Sequence, residues 1–90
     1  MAYLDVAANI NAAVGAAVNA SGEVLYELGM MYAAGRTVQL DLVLAHKWLN
    51  LAAMRGNPDA IRLRREVADE MSAAEIAAAQ RAARDWLTTH

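Results

Sequence analysis

Apolar residues recur at intervals of three and four positions along two neighbouring stretches in the middle of the chain, which is the spacing of one face of an α-helix. Gly35 follows the first stretch and Asp41 opens the second, and these residue types are typical of a helix C-terminus and a helix N-cap. Two antiparallel helices joined by about five residues form an αα-hairpin. The recurring residues are Val24, Leu25, Leu28, Met31 and Tyr32 in the first stretch, and Ala45, Trp48, Leu49 and Ala52 in the second.

Small side chains accompany the large ones in both predicted helices. Gly29 lies in the middle of the first helix, where a glycine costs about 1 kcal/mol relative to alanine. Close approach of a second backbone explains a glycine at this position, and Ala45 and Ala52 offer the matching small surface on the second helix. We therefore expect the two helices to pack closely, with Tyr32 and Trp48 at the edges of the contact.

A second pair of helices is predicted after residue 56. Asn57 is a good N-cap, Pro58 suits the first helical position, and the helix continues to about Asp69. Ser72 and Glu75 have the spacing of a capping box, which predicts the start of the last helix. The expected apolar stripes are Ala60, Leu63, Val67 and Met71 in the first of these helices, and Ile76, Ala79, Ala83 and Leu87, with Trp86 beside them, in the second.

Residues 1–20 are alanine-rich and are predicted to form either a further helix or a mobile tail. A secretory signal needs a positively charged start, but this stretch has no basic residue and carries Asp5. The small residues just before Ser21 nevertheless resemble a cleavage site, so an exported form is the alternative to a cytoplasmic one. No apolar run reaches the about 18 residues that a membrane-spanning helix requires. The apolar stripe of this segment is Val6, Ile10, Val14 and Val18.

Ten residues of the predicted hairpin stand at offsets that amphipathicity alone does not require: Leu28, Gly29, Tyr32, Gly35, Asp41, Ala45, Trp48, Ala52, Ala53 and Gly56. This pattern resembles the Sel-one-like repeat, a relative of the tetratricopeptide repeat, over about 36 of the 90 residues. The resemblance implies a right-handed α-solenoid of stacked helix pairs. It also implies an adaptor or scaffold role of the kind that such proteins fill in bacterial and eukaryotic signalling, assembly and export.

The chain contains an internal echo of the second hairpin helix. Residues 45–49 (AHKWL) resemble residues 83–87 (ARDWL), which lie 38 positions later, close to the repeat length of the family. The predicted fold is therefore all-α, a short α-solenoid of four or five helices. We expect a clear repeat over 21–56 and a degenerate capping pair over 57–88, together forming a repeat domain over 21–90.

Composition narrows the classes of function. The 58% hydrophobic content argues against disorder, and 90 residues allow one domain. The chain has no cysteine, which excludes disulfides and thiolate metal sites. Its formal net charge of −2 gives no overall basic excess for binding phosphates.

Candidate chemistry is sparse. His46 has no nucleophile or paired carboxylate placed by sequence to work with it, and His46 and His90 share no helix face on which to hold a metal. N-cap duty accounts for Asp41. We therefore predict no catalytic site, no cofactor and no metal.

The predicted function is protein–protein interaction by an adaptor module. An alternative is a homo-oligomer, because a solenoid needs about three repeats to bury a continuous core and this chain offers fewer. The remote alternative is a small-ligand or nucleic-acid site at Arg62, Arg64 and Arg65, although nearby acidic residues offset that charge. Partners are expected to be another protein or a second copy, with no membrane. The candidate binding residues are Tyr26, Met30, Arg36 and His46.

Overall fold

Four α-helices make up residues 21–89, the part of the chain that the computed structural model describes. They are α1 (Gly22–Ala34), α2 (Leu42–Met54), α3 (Pro58–Ala68) and α4 (Ala73–Thr89). This range contains no β-strand, so the all-α prediction is confirmed with four of the predicted four or five helices. The helix or tail predicted over residues 1–20 lies outside the described residues, as does His90.

Each helix is preceded by a residue whose side chain accepts a hydrogen bond from the backbone N–H three residues later. This bond satisfies a donor that has no partner within the helix. The N-caps predicted at Asp41 and Asn57 are confirmed, and Ser72 and Glu75 form the predicted capping box. The acceptor atoms and donating residues are Ser21 Oγ and Val24 (3.4 Å), Asp41 Oδ1 and Leu44 (3.0 Å), Asn57 Oδ1 and Ala60 (3.1 Å), and Ser72 Oγ and Glu75 (3.1 Å), with Ser72 N–H donating to Glu75 Oε1 (2.8 Å).

Glycines lie at the ends of the first two helices, as predicted for Gly35. Gly35 adopts the left-handed conformation at φ 64°, and its N–H donates to the carbonyl oxygen of Met31 at 3.0 Å. Gly56, just beyond the end of α2, has φ 90°. Residues with a Cβ atom are strained at such angles, so glycine is the residue that lets the chain leave each helix here.

The close approach predicted at Gly29 is confirmed. A Cβ atom added at this position would lie 2.6 Å from Leu49 Cγ and 3.3 Å from the carbonyl oxygen of Ala45. Leu25 and Leu28 of α1 are almost fully buried against the same helix. The helical cost of a glycine is therefore offset by the contact between α1 and α2.

Helix α2 is the centre of the described structure. It packs against α1, α3 and α4, whereas α3 and α4 approach each other far less closely than either approaches α2. A helix with neighbours on most sides is apolar on most sides. The stacking of antiparallel pairs that defines a solenoid stays a prediction. The buried residues of α2 are Ala45, His46, Trp48, Leu49, Leu51 and Ala52.

The two tryptophans join α2 to α4. The rings of Trp48 and Trp86 meet edge to face, with centroids 5.6 Å apart and planes at 77°. Trp86 is 6% exposed, whereas Leu87 is 42% exposed. The predicted apolar stripe of α4 therefore needs a correction: Trp86, not Leu87, continues the buried face from Ala83, because the ring of Trp48 offers a large contact on that side.

Candidate interaction surface

A cleft of about 400 Å³ opens where α1 connects to α2. We call it the loop cleft. Three of its residues are aliphatic, one is aromatic, one is an amide and one is a carboxylate. Its lining residues are Tyr32, Val38, Gln39, Leu40, Asp41 and Leu44.

The backbone of the connection is fixed at both ends of the loop cleft. At one end Gly35 turns the chain so tightly that a Cβ atom on it would lie 2.6 Å from Leu40 Cβ. At the other end the Asp41 N–H donates to the carbonyl oxygen of Tyr32 at 3.2 Å, and the Asp41 carboxylate caps α2. The cleft is therefore formed before any partner arrives.

The loop cleft combines aliphatic side chains with a negatively charged one. Leu40 is 55% exposed at its rim, and Val38 is half-buried. Burial, and next the negative charge of Asp41, raise the pKa of the Tyr32 phenol above its ordinary value. The phenol is therefore neutral at physiological pH and can donate a hydrogen bond.

The cleft is not among the sequence predictions, in which the residues between the two helices serve only as a connection. Apolar Val38 and Leu40 alternate there with polar Thr37 and Gln39. That alternation indicates an extended segment with one apolar side. It is the sequence feature from which the cleft could have been anticipated.

Three of the four predicted binding residues have an accessible part. Met30 is 38% exposed on α1, and Arg36 is exposed in the connection after Gly35. Tyr26 is half-buried and packs against the core. Neither Arg36 nor Met30 lines the loop cleft.

His46 requires a correction, because its side chain is only 4% exposed and does not lie on the surface of the described structure. It occupies the side of α2 near α3, where burial, and next the positive charge of Arg64, lower its pKa. Its Nδ1 atom has no hydrogen-bond partner within residues 21–89. The neutral imidazole is therefore the form that the fold favours.

The predicted arginine cluster is divided by the fold. Arg64 turns towards α2 and donates a hydrogen bond from Nη1 to Asn50 Oδ1. Arg62 forms an ion pair with Asp59 at 2.8 Å, and Arg65 is exposed. The three guanidinium groups thus have different surroundings, which weakens the remote prediction of a phosphate or nucleic-acid site here.

In the described residues, no group of three or more His, Cys, Asp or Glu side chains is placed to hold a metal ion. None of the helices α1–α4 is long and apolar enough to cross a membrane.

No family model matches the sequence, and no match is found among curated proteins or solved structures. The resemblance to the Sel-one-like repeat therefore rests on its ten motif residues and stays a prediction.

Proposed function

We propose that the chain is a non-catalytic protein–protein interaction module, and that a segment of the partner docks in the loop cleft. The observation that supports this most strongly is the cleft itself, which is open, lined by polar and apolar surface in similar amounts, and rimmed by the exposed side chain of Leu40. Removing exposed aliphatic surface from water favours association with a partner.

Rigidity of the cleft also favours this function. The connection is held by Gly35, by the hydrogen bond from Asp41 to Tyr32, and by the cap of α2. A surface that is already ordered loses little conformational entropy when a partner binds. A docked segment would therefore find its site ready, and we expect little change in the backbone of residues 35–44.

The proposal includes the Sel-one-like architecture and a cytoplasmic location. The motif residues at the α1–α2 contact, Gly29, Ala45 and Ala52, are buried there as close helix packing requires. Helical-repeat proteins with this packing are commonly adaptors, and an adaptor role agrees with a surface cleft. Fold alone does not specify a function, so the test is directed at the cleft.

The direct test is selection of binding peptides. A displayed library of random 12-residue peptides is selected on the full chain, and the enriched peptides are measured against the Leu40→Asp variant. The matched control is Ile61→Asp, which changes an aliphatic side chain of similar exposure on α3. We expect Leu40→Asp to weaken binding at least about tenfold and Ile61→Asp to leave it unchanged.

Two results would overturn the proposal. One is a selection that enriches no peptide, and the other is a set of peptides whose affinity is the same for both variants. Thermal melts of the two variants establish that they are folded, which is expected because both side chains are exposed.

Self-association is a second candidate function. Large apolar side chains are exposed on all four helices of the described structure and on the connection before α2, and this distribution favours contact with further copies. Light scattering over a range of concentrations decides between a monomer and an oligomer. A dimer that Met30→Asp dissociates would favour this candidate over a free module. The exposed side chains are Val24, Met30, Leu40, Met54, Ile61 and Leu87.

A further inference from the structure

We infer that the loop cleft selects a cationic side chain, lysine or arginine, in the segment that docks there. The inference rests on the proposed function and specifies its ligand chemistry. It follows from the charge of one lining residue, from the aliphatic and aromatic residues beside it, and from the way in which the start of α2 is capped.

Asp41 is the only charged residue that lines the cleft. Its Oδ1 atom accepts the Leu44 N–H at 3.0 Å, and no hydrogen bond to its Oδ2 atom is found within residues 21–89. The one ion pair in that range joins Arg62 to Asp59, so Asp41 has no cationic partner there. A fixed carboxylate with a free oxygen is suited to a charge-assisted hydrogen bond from an ammonium or guanidinium group.

The apolar walls suit the rest of such a side chain. Lysine and arginine carry three or four methylene groups, which pack on apolar surface while the charged end reaches a polar group. Leu40 and Leu44 supply aliphatic surface beside Asp41, and Tyr32 supplies an aromatic ring. The negative face of an aromatic ring attracts a cation.

An anionic ligand is disfavoured at the same place. The N-terminus of α2 opens into the cleft, and a free helix N-terminus attracts negative charge. Here the Asp41 carboxylate already occupies that position as the cap. A phosphate or an acidic side chain would have to displace this cap or be repelled by its negative charge, whereas a cation is attracted to the carboxylate.

The test uses small probes on the full chain. Nα-acetyl-arginine N-methylamide is titrated against the ¹⁵N-labelled protein, and the neutral probe is the citrulline analogue, which has nearly the same shape. We expect the arginine probe to shift the amides of Leu40, Asp41 and Leu44. The citrulline probe should bind at least about threefold more weakly, the difference that an ion pair of modest strength gives.

Asp41→Asn is the decisive variant, since asparagine caps a helix as well as aspartate does but carries no charge. It should weaken binding of the arginine probe at least about threefold and leave binding of the citrulline probe unchanged. The matched control is Asp69→Asn, an exposed acidic residue at the end of α3 that does not line the cleft, and it should bind both probes like the unchanged protein.

Equal binding of the two probes, shifts confined to another surface, or an unchanged affinity in Asp41→Asn would each overturn the selection for a cation. So would cleft-binding peptides from the library selection that show no enrichment of lysine or arginine. These results leave the proposed function standing, because that function fails only if no peptide depends on Leu40.

Discussion

The α1–α2 hairpin and the α3–α4 pair share one short sequence echo but pack in different ways. In the first pair each helix is the other's main neighbour, with Gly29 seated against Leu49. In the second pair α3 and α4 both pack on α2 and meet each other only marginally. Residues 45–49 and 83–87 are therefore similar in sequence, but the helices that contain them have different neighbours.

Side chains at equivalent positions explain this difference. At the 38-residue offset, Val67 stands where Gly29 stands in the first pair, and Leu87 stands where Leu49 stands. Val67 has the Cβ atom and branches that Gly29 lacks, and it is itself buried in the core. Leu49 is fully buried and Leu87 is 42% exposed. Gly29 thus leaves room for Leu49 between α1 and α2.

The connections differ as well. Residues 35–41 join α1 to α2 and include the left-handed Gly35 and four of the residues that line the loop cleft. Residues 69–72 join α3 to α4 and are fewer, with acidic Asp69 and Glu70 among them. The longer connection gives the first pair a candidate binding site in addition to its tighter packing.

The largest expected effect is a difference in stability between variants of Leu49 and of Leu87. Leu49→Ala should reduce the free energy of unfolding by about 3 kcal/mol, because it leaves a cavity between α1 and α2. Leu87→Ala should reduce it by less than about 1 kcal/mol, since the side chain is substantially exposed. Urea unfolding followed by circular dichroism measures both. Equal losses would show that α4 packs through Leu87 after all.

A smaller effect is expected when the first pair is made to resemble the second. Gly29→Val forces Leu49 or the backbone of α2 to move, and overpacking of this kind costs about 1–3 kcal/mol. The control is Ala34→Val, an exposed position of α1 where only the lower helix propensity of valine acts, about 0.5 kcal/mol. If both variants melt at the same temperature, the close contact at Gly29 is not a source of stability.

Acid should act on the interface between α2 and α3. The folded state lowers the pKa of His46, so the unfolded chain binds the proton more readily below the ordinary value of about 6.5. Stability should therefore fall as the pH drops through and below 6.5, at no more than about 1.4 kcal/mol per pH unit for one proton. Denaturation midpoints at pH 7.5 and 5.5 measure this fall.

His46→Gln supplies the matched control for the pH experiment. Glutamine has no proton to gain in this range, so the variant should lose most of the dependence between pH 7.5 and 5.5. Carboxylates titrate mainly below pH 5 and should add little there. An unchanged dependence in His46→Gln would assign the effect to another group.

The smallest effect concerns the start of α4. Ser72→Ala removes the side-chain acceptor of the capping box and should cost about 1 kcal/mol. Because α4 is joined to the rest mainly through α2, we expect faster amide hydrogen exchange at residues 73–76 and little change in α1. Uniformly faster exchange in all helices would indicate that α4 does not open independently.

The parts of this fold that sequence predicts are those with local causes. Helix ends follow from the chemistry of one or two residues, and the caps at Asp41, Asn57 and Ser72 lie where the sequence places them. The close approach at Gly29 follows from the cost of a glycine inside a helix. Each of these depends on a hydrogen bond or a contact that a single residue type makes possible.

The parts that sequence does not predict depend on distant neighbours. Trp86 and Leu87 are adjacent on α4, and the position of Trp48 decides which of them is buried. His46 is buried on a side of α2 where the charge of Arg64 from α3 reaches it, and a stripe pattern on one helix cannot indicate this. The loop cleft likewise needs both the turn at Gly35 and the ring of Tyr32.

The most direct test of the central claim is a ¹⁵N chemical-shift map of the full chain with a library-selected peptide at saturation. We expect the largest amide shifts within residues 36–44, around the loop cleft, and no shifts at residues 69–72 of the shorter connection. Large shifts at residues 69–72, or on the outer faces of α3 and α4 with the loop cleft unchanged, would contradict it.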